Sequence, residues 1–237
     1  MAEYVYGKNV IKQLLKNPSQ IEAIYYCGKD QDLLTQIKKA NVKCEAKDKK
    51  ALTKMVNDEH HQGFVAKIKE VQTVSLETLI ENTKSKHGLI VLLDGLEDPH
   101  NLGAILRTCD ATKVDGVIFK KNGAVGLTPT VAKVSAGAID TVPCCEVTNL
   151  SRTVEELKEK GYWIVGGAME GQDYRSLNYD FPTVIVIGNE GKGISRLVKE
   201  KCDYLVSIPM AGEIESLNAS VSAAVLLYEV YNKRFPL

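Results

Sequence analysis

Short apolar runs and helical stripes alternate along the chain. Strand-like segments stand at IEAIYYCG (21–28), GFVAKIKEV (63–71), LIVLLD (89–94), VDGVIF (114–119), near 141–146, and at YWIVGGA (162–168), TVIVIG (183–188) and LVSIP (205–209). Apolar positions recur at helical spacing over 9–16, 31–40, 101–113, 128–138, 150–161, 192–201 and 216–233. From residue 87 onward the strands are almost continuously apolar and are separated by amphipathic helices, which predicts a mainly parallel sheet covered on both faces. Residues 1–72 predict a smaller α/β unit, and the polar stretch 73–86, rich in Thr, Ser, Glu and Lys, reads as a linker. No internal repeat or low-complexity tract interrupts this pattern.

A length of 237 residues suits two such units, each able to bury a core. No run of about 18 apolar residues is present and the N-terminus MAEYVYGKNV lacks a signal-peptide core, so a soluble, cytoplasmic protein without a membrane partner is expected. The six cysteines form no CxxC pair and the four histidines are scattered, which points to reduced thiols and no metal site. Net charge is zero, but it is unevenly spread: residues 1–70 carry 13 Lys against 9 acids, and all five Arg lie beyond them. A lysine-rich first unit offers point charges for phosphate rather than bidentate base readers, although a merely solvated lysine surface has the same composition.

Three segments carry the candidate chemistry: LDGLEDPHNLGAILRTCD (93–110), VIVIGNEGKGIS (184–195) and SIPMAGEIESLNASVSAAVLLYEV (207–230). Each leaves an apolar strand, passes through Gly, Pro, Asn or Glu, and resumes as a helix, the place where α/β sheets build sites. The first lacks the G-x-G-x-x-G of a dinucleotide fold. The second is not a phosphate loop, because Val186 stands where the first Gly belongs and Gly193 follows Lys192. No G-x-S-x-G elbow supports a hydrolase. Asn101 suits a helix N-cap and Ser216 does too. Arg107, within the apolar AILRTC, is expected to be buried beside an anion. The glycines around Asn189 and Glu190 require a sharp turn or a close approach to a ligand. Trp163, inside an apolar strand, is expected in the core, and His60 and His61 read as loop residues before a strand.

In order and spacing the three segments resemble the motifs of the SpoU (TrmH-like) family of RNA ribose 2′-O-methyltransferases, in the SPOUT superfamily. HHQGFVAKI (60–68) resembles the end of the small RNA-binding domain that precedes the catalytic domain in some members. The resemblance implies an α/β fold of SPOUT type, with a mainly parallel sheet and a C-terminal trefoil knot, behind a ribosomal-protein-like α/β domain. It implies S-adenosyl-L-methionine as methyl donor, with Gly188, Ile208, Met210, Leu217 and, on the adenine side, Ala168 as its contacts. Asn101, Arg107, Glu190, Ser216 and Asn218 are the catalytic residues that it implies, with Arg107 paired to Glu190. Glu213 and Glu215 are not required by the motif. It further implies a homodimer through the catalytic domain. The segment 123–150 looks most like the large-subunit ribosomal RNA guanosine methyltransferases, so 23S ribosomal RNA is the expected partner and transfer RNA the alternative. A noncatalytic RNA-binding protein of the same fold is the rival reading.

Overall fold

A computed structural model describes residues 3–16, 18–69, 72–83, 87–214 and 216–236. The chain divides into two compact units, 1–71 and 72–237. The first holds a four-stranded sheet in the order β1-β4-β2-β3, built from β1 (Glu3–Tyr6), β2 (Ile21–Tyr26), β3 (Cys44–Ala46) and β4 (Phe64–Ile68). β4 runs antiparallel to β1 and β2, while β2 and β3 are parallel. Helices α1 (Lys8–Leu14) and α2 (Gln31–Lys39) present Ile11, Leu33 and Ile37 to one sheet face, where Ile24, Phe64 and Ala66 complete a dry core. Helix α3 (Lys49–Val56) packs on β1 and β4. β1, β3 and α3 were not foreseeable from periodicity: β3 is three residues long and mostly exposed, too short for alternation to show. His60 and His61 stand in the loop before β4, as expected, and His61 is 1% exposed there; its Nδ1 accepts from the Gly63 N–H at 3.0 Å.

The second unit is built on six strands in the order β10-β8-β9-β5-β6-β7, every ladder parallel. They are β5 (Leu89–Asp94), β6 (Gly116–Lys120), β7 (Cys144–Val147), β8 (Trp163–Asp173), β9 (Thr183–Gly188) and β10 (Tyr204–Ser207). Ile90, Leu92, Ile118, Ile164, Val184 and Val186 form one face, covered by α4 (Leu76–Glu81), α8 (Leu150–Glu159) and α9 (Arg196–Lys199). Their alternates, such as Val91 and Ile185, turn to the opposite face, where α5 (Pro99–Ala111) and α10 (Ala219–Arg234) pack against the sheet and each other. This two-faced burial accounts for the continuous apolar strands.

The stretch read as a linker carries α4, whose Leu79 is buried in the second unit's core, because Leu76, Leu79 and Ile80 form an apolar stripe within the polar composition; residues 84–86 of that stretch lie outside the described residues. The helix expected over 128–138 is two, α6 (Pro129–Val134) and α7 (Ala138–Thr141), since Ala136 and Gly137 take left-handed φ of 52° and 99°. Trp163 is 44% exposed: as the first residue of β8 it packs against Phe181 and Tyr204, with ring centroids 5.6 and 5.7 Å away. The far end of α10 is fastened by Arg234, whose guanidinium donates to the carbonyls of His87, Tyr179 and Phe181 and to Thr183 Oγ1 at 2.5–2.9 Å. No helix is long and apolar enough to cross a membrane among the described residues.

Candidate active site

Chain order reverses between β5 and β9, and the crevice beyond the C-terminal ends of such strands is where open α/β sheets bind ligands. β5 ends in Asp94 and Gly95. β9 ends in Gly188, after which residues 189–193 fold back as a turn closed by reciprocal backbone bonds between Asn189 and Gly193, at 3.0 and 2.8 Å. That turn takes the residues from which a longer helix was expected, so α9 begins only at Arg196. A Cβ on Gly188 would lie 2.3 Å from the Gly193 carbonyl carbon, so the close approach that the glycine permits is made by the chain itself.

Two side chains that sequence reasoning did not assign hold this turn to β5. Asn189 Nδ2 donates to the Gly95 carbonyl at 2.8 Å, while its Oδ1 accepts from the Gly191 and Lys192 N–H groups at 2.9 and 3.2 Å. Asp94 accepts from the Ser195 N–H at 2.7 Å. The available signal was an Asp and an Asn immediately beside glycines at strand ends, the composition of side-chain-supported turns.

Asn101 lies in the first turn of α5, 7% exposed, and its Nδ2 donates to Glu190 Oε1 across 89 positions of sequence. It is not the helix cap; Asp98 is, accepting from the His100 N–H. Glu190 is therefore paired with Asn101 and not with Arg107, which corrects the expected anchor. Arg107 is also exposed rather than buried, because Leu102, Ile105, Leu106 and Cys109 occupy the core-facing side of α5 and leave residue 107 on the other side. The helical periodicity of those four positions was the signal that could have placed it.

Beside the Asn101 and Glu190 pair lies a cavity of about 400 Å³. Ala168, Gly188, Glu190, Ile208, Met210, Ser216 and Leu217 all line it, drawn from the middle of β8, the ends of β9 and β10 and the loop before α10. Asn218 does not line it. Its Oδ1 accepts from the Ser220 N–H and hydroxyl at 2.9 and 2.6 Å, which makes Asn218, and not Ser216, the N-cap of α10. Glu213 is exposed; Glu215 lies outside the described residues. Among the described residues no group of three His, Cys, Asp or Glu side chains could hold a metal ion.

A parallel α/β sheet with glycine-rich and asparagine-braced turns at its switch point, around a cavity within the size range of cofactor sites, defines a ligand-binding enzyme class. The chain belongs to the SpoU rRNA methylase family, whose model matches residues 88–228, and the model for the substrate-binding domain of RNA 2′-O ribose methyltransferases matches residues 4–74. It is 44% identical, over 99% of its length and 97% of the relative's, to the Bacillus subtilis protein YacO, named as a TrmH-family tRNA/rRNA methyltransferase. The SpoU methyltransferase AviRb of Streptomyces viridochromogenes, solved with AdoMet, is 26% identical with a TM-score of 0.71, covering 98% of this chain and 90% of that one. The A. aeolicus TrmH/SpoU tRNA-modifying enzyme is 33% identical with a TM-score of 0.58, covering 67% of this chain and 82% of that one.

Proposed function

We propose that this chain transfers a methyl group from S-adenosyl-L-methionine to a ribose 2′-hydroxyl in RNA, that the target is a guanosine of 23S ribosomal RNA, and that two copies pair through the methyltransferase unit. The observation that carries the reading is the Asn101 and Glu190 pair, set across the ends of β5 and β9 at the edge of the cavity. The cavity fits the donor in size, and its wall of glycines, small apolar side chains and carboxyl groups suits a flat base and a cationic sulfur. When bound, the donor supplies an electrophilic methyl on sulfonium. Transfer would join the ribose oxygen to that methyl as its bond to sulfur broke, with the hydroxyl proton passing to phosphate or solvent.

The chain's own residues position and neutralise. Glu190, held by Asn101, borders the acceptor's approach. Backbone groups at Gly188, Ile208 and Leu217, with Met210 and Ala168, hold the donor, and Ser216 and Asn218 complete the constellation at the start of α10. Arg107 orients a phosphate and stabilises developing negative charge on the ribose oxygen. Its exposure suits a group that meets RNA. The outward face of α10, where Val221 and Tyr228 are both 46% exposed, supports pairing of two copies. The strand order β10-β8-β9 supports the trefoil knot that the family implies. Residues 1–71, with their excess of lysine, grip the RNA.

Transfer RNA is the second reading, favoured by the tRNA-modifying neighbour. Labelled methyl from S-adenosyl-L-methionine, offered to unmodified 23S ribosomal RNA and to bulk transfer RNA with the 2′-O-methyl position mapped afterwards, decides between them. Label in transfer RNA alone rejects the ribosomal target, and label in neither rejects both. Arg107→Ala is expected to lower single-turnover methylation by about 1,000-fold, the scale of losing a principal charge-stabilising group; near-normal turnover refutes its role.

A further inference from the structure

β8 and β10 do not pair continuously. Leu205 lies opposite Gly166 and Val206 opposite Gln172, so the five residues 167–171 are inserted on the β8 side. An interruption of this kind sacrifices ladder bonds and re-aims side chains. Here it is pinned at its far end, where a Cβ on Gly171 would come within 2.5 Å of the Leu205 and Val206 backbone and where Ser207 Oγ donates to the Gly171 carbonyl at 2.9 Å. Its inner side, Gly167 to Glu170, forms a wall of the cavity. The Glu170 carboxylate is ion-paired with Lys199 of α9, also on that wall. The other cavity carboxylate, Glu190, is already engaged by Asn101.

We infer that Glu170 accepts hydrogen bonds from the vicinal diol of the donor's ribose, with Lys199 as the positioning residue that fixes the carboxylate. The inference rests on the methyl-donor reading of the cavity. An ionised carboxylate accepts only, and its two oxygens match two adjacent hydroxyls. The Lys199 hydrogen bond keeps the Glu170 carboxyl below its ordinary range, so the acceptor is present at neutral pH. The donor's cationic groups, its α-ammonium and its sulfonium, would have to sit beside the Lys199 ammonium to reach Glu170, and like charges at that separation repel. A neutral diol meets no such penalty. Glu170 also follows Ala168, the adenine-side residue, by two positions, as ribose adjoins base.

The test is calorimetric binding of S-adenosylhomocysteine and of its 2′,3′-dideoxy analogue to the full chain, to Glu170→Ala and to Lys199→Met. Glu170→Ala is expected to weaken S-adenosylhomocysteine by roughly 10- to 100-fold, the range for a hydrogen bond to a charged group, and to leave the dideoxy analogue within about 3-fold. Lys199→Met is expected to give a smaller loss with the same selectivity for the diol. Equal weakening of both ligands by Glu170→Ala, or no weakening of either, overturns the assignment while leaving the donor site in place. An unsubstituted chain that binds neither ligand overturns the donor reading together with it.

Discussion

The two units of this molecule differ in what their polar side chains hold together. In the N-terminal unit several join one another at the surface: Lys8 pairs with Asp30, Lys47 with Glu45 and Lys67 with Glu22, at 2.5–2.8 Å between partly exposed side chains. Each such pair contributes little to stability, and each can be exchanged without disturbing the core beneath. In the C-terminal unit polar side chains at the ends of strands and of the last helix bind backbone: Asn189 to Gly95 and to its own turn, Asp94 to Ser195, Arg234 to three carbonyls. A charged surface can be tuned one residue at a time, whereas a site made of backbone turns depends on every strand that feeds it.

The largest expected effect is therefore at a turn. Gly188→Ala places a methyl group against the Gly193 backbone, which cannot move without opening the 189–193 turn; a loss of about 3 kcal/mol and of roughly 100-fold in S-adenosylhomocysteine affinity is expected by denaturation and calorimetry. Unchanged affinity would show that the turn adapts as freely as a surface pair does. Ile24→Ala, in the N-terminal core, is expected to cost about 2–4 kcal/mol. The only tryptophan, Trp163, belongs to the other unit, so circular dichroism should register the loss while the Trp163 fluorescence transition stays in place. Coincident shifts in both signals would end the division into two kinds of region.

Arg234→Met leaves three carbonyls short of their donor and should cost about 2–3 kcal/mol, seen as a fall of about 4–12 °C in the midpoint reported by Trp163; a shift under 1 °C would place Arg234 with the replaceable surface charges. The smallest effect is at Asp58, where hydrogen bonds from the Tyr6 hydroxyl and from His60 hold the carboxyl at about 2, below its ordinary 3.8. A depressed folded-state value means that this contribution is fully present above about pH 4 and fades as pH falls through about 2. Asp58→Asn should flatten the N-terminal unit's acid limb in that window, because it removes at pH 7 the contribution that acid would otherwise titrate away. An acid limb unaltered by the substitution would refute the coupling.

Much of this arrangement was legible in the chain. LIVLLD and TVIVIG announce strands buried on both faces, and the three strand-to-helix segments mark the loops that line the cavity, because both signals are local. The errors share one origin. Trp163 was expected inside because its neighbours in sequence are apolar, yet its cover depends on Phe181 and Tyr204, which arrive from elsewhere. Ser216 satisfied the composition of a cap, but the helix starts two residues later and Asn218 caps it. Arg107 was expected inside an apolar run, although a count of helical positions turns it outward.

Neighbours along the chain are enough to place the long apolar strands of the second unit, the parallel sheet they form and the family to which the chain belongs, since periodicity and motif order are local properties. Packing of whole elements was needed to show that Glu190 meets Asn101 rather than Arg107, that Gly188 makes room for Gly193, that residues 167–171 leave the ladder, and that Arg234 ties α10 to the segment before β9. Those outcomes depend on strand register and on the rotation of helices about their axes. Both are set by how whole elements pack, and no stretch of residues carries that information alone.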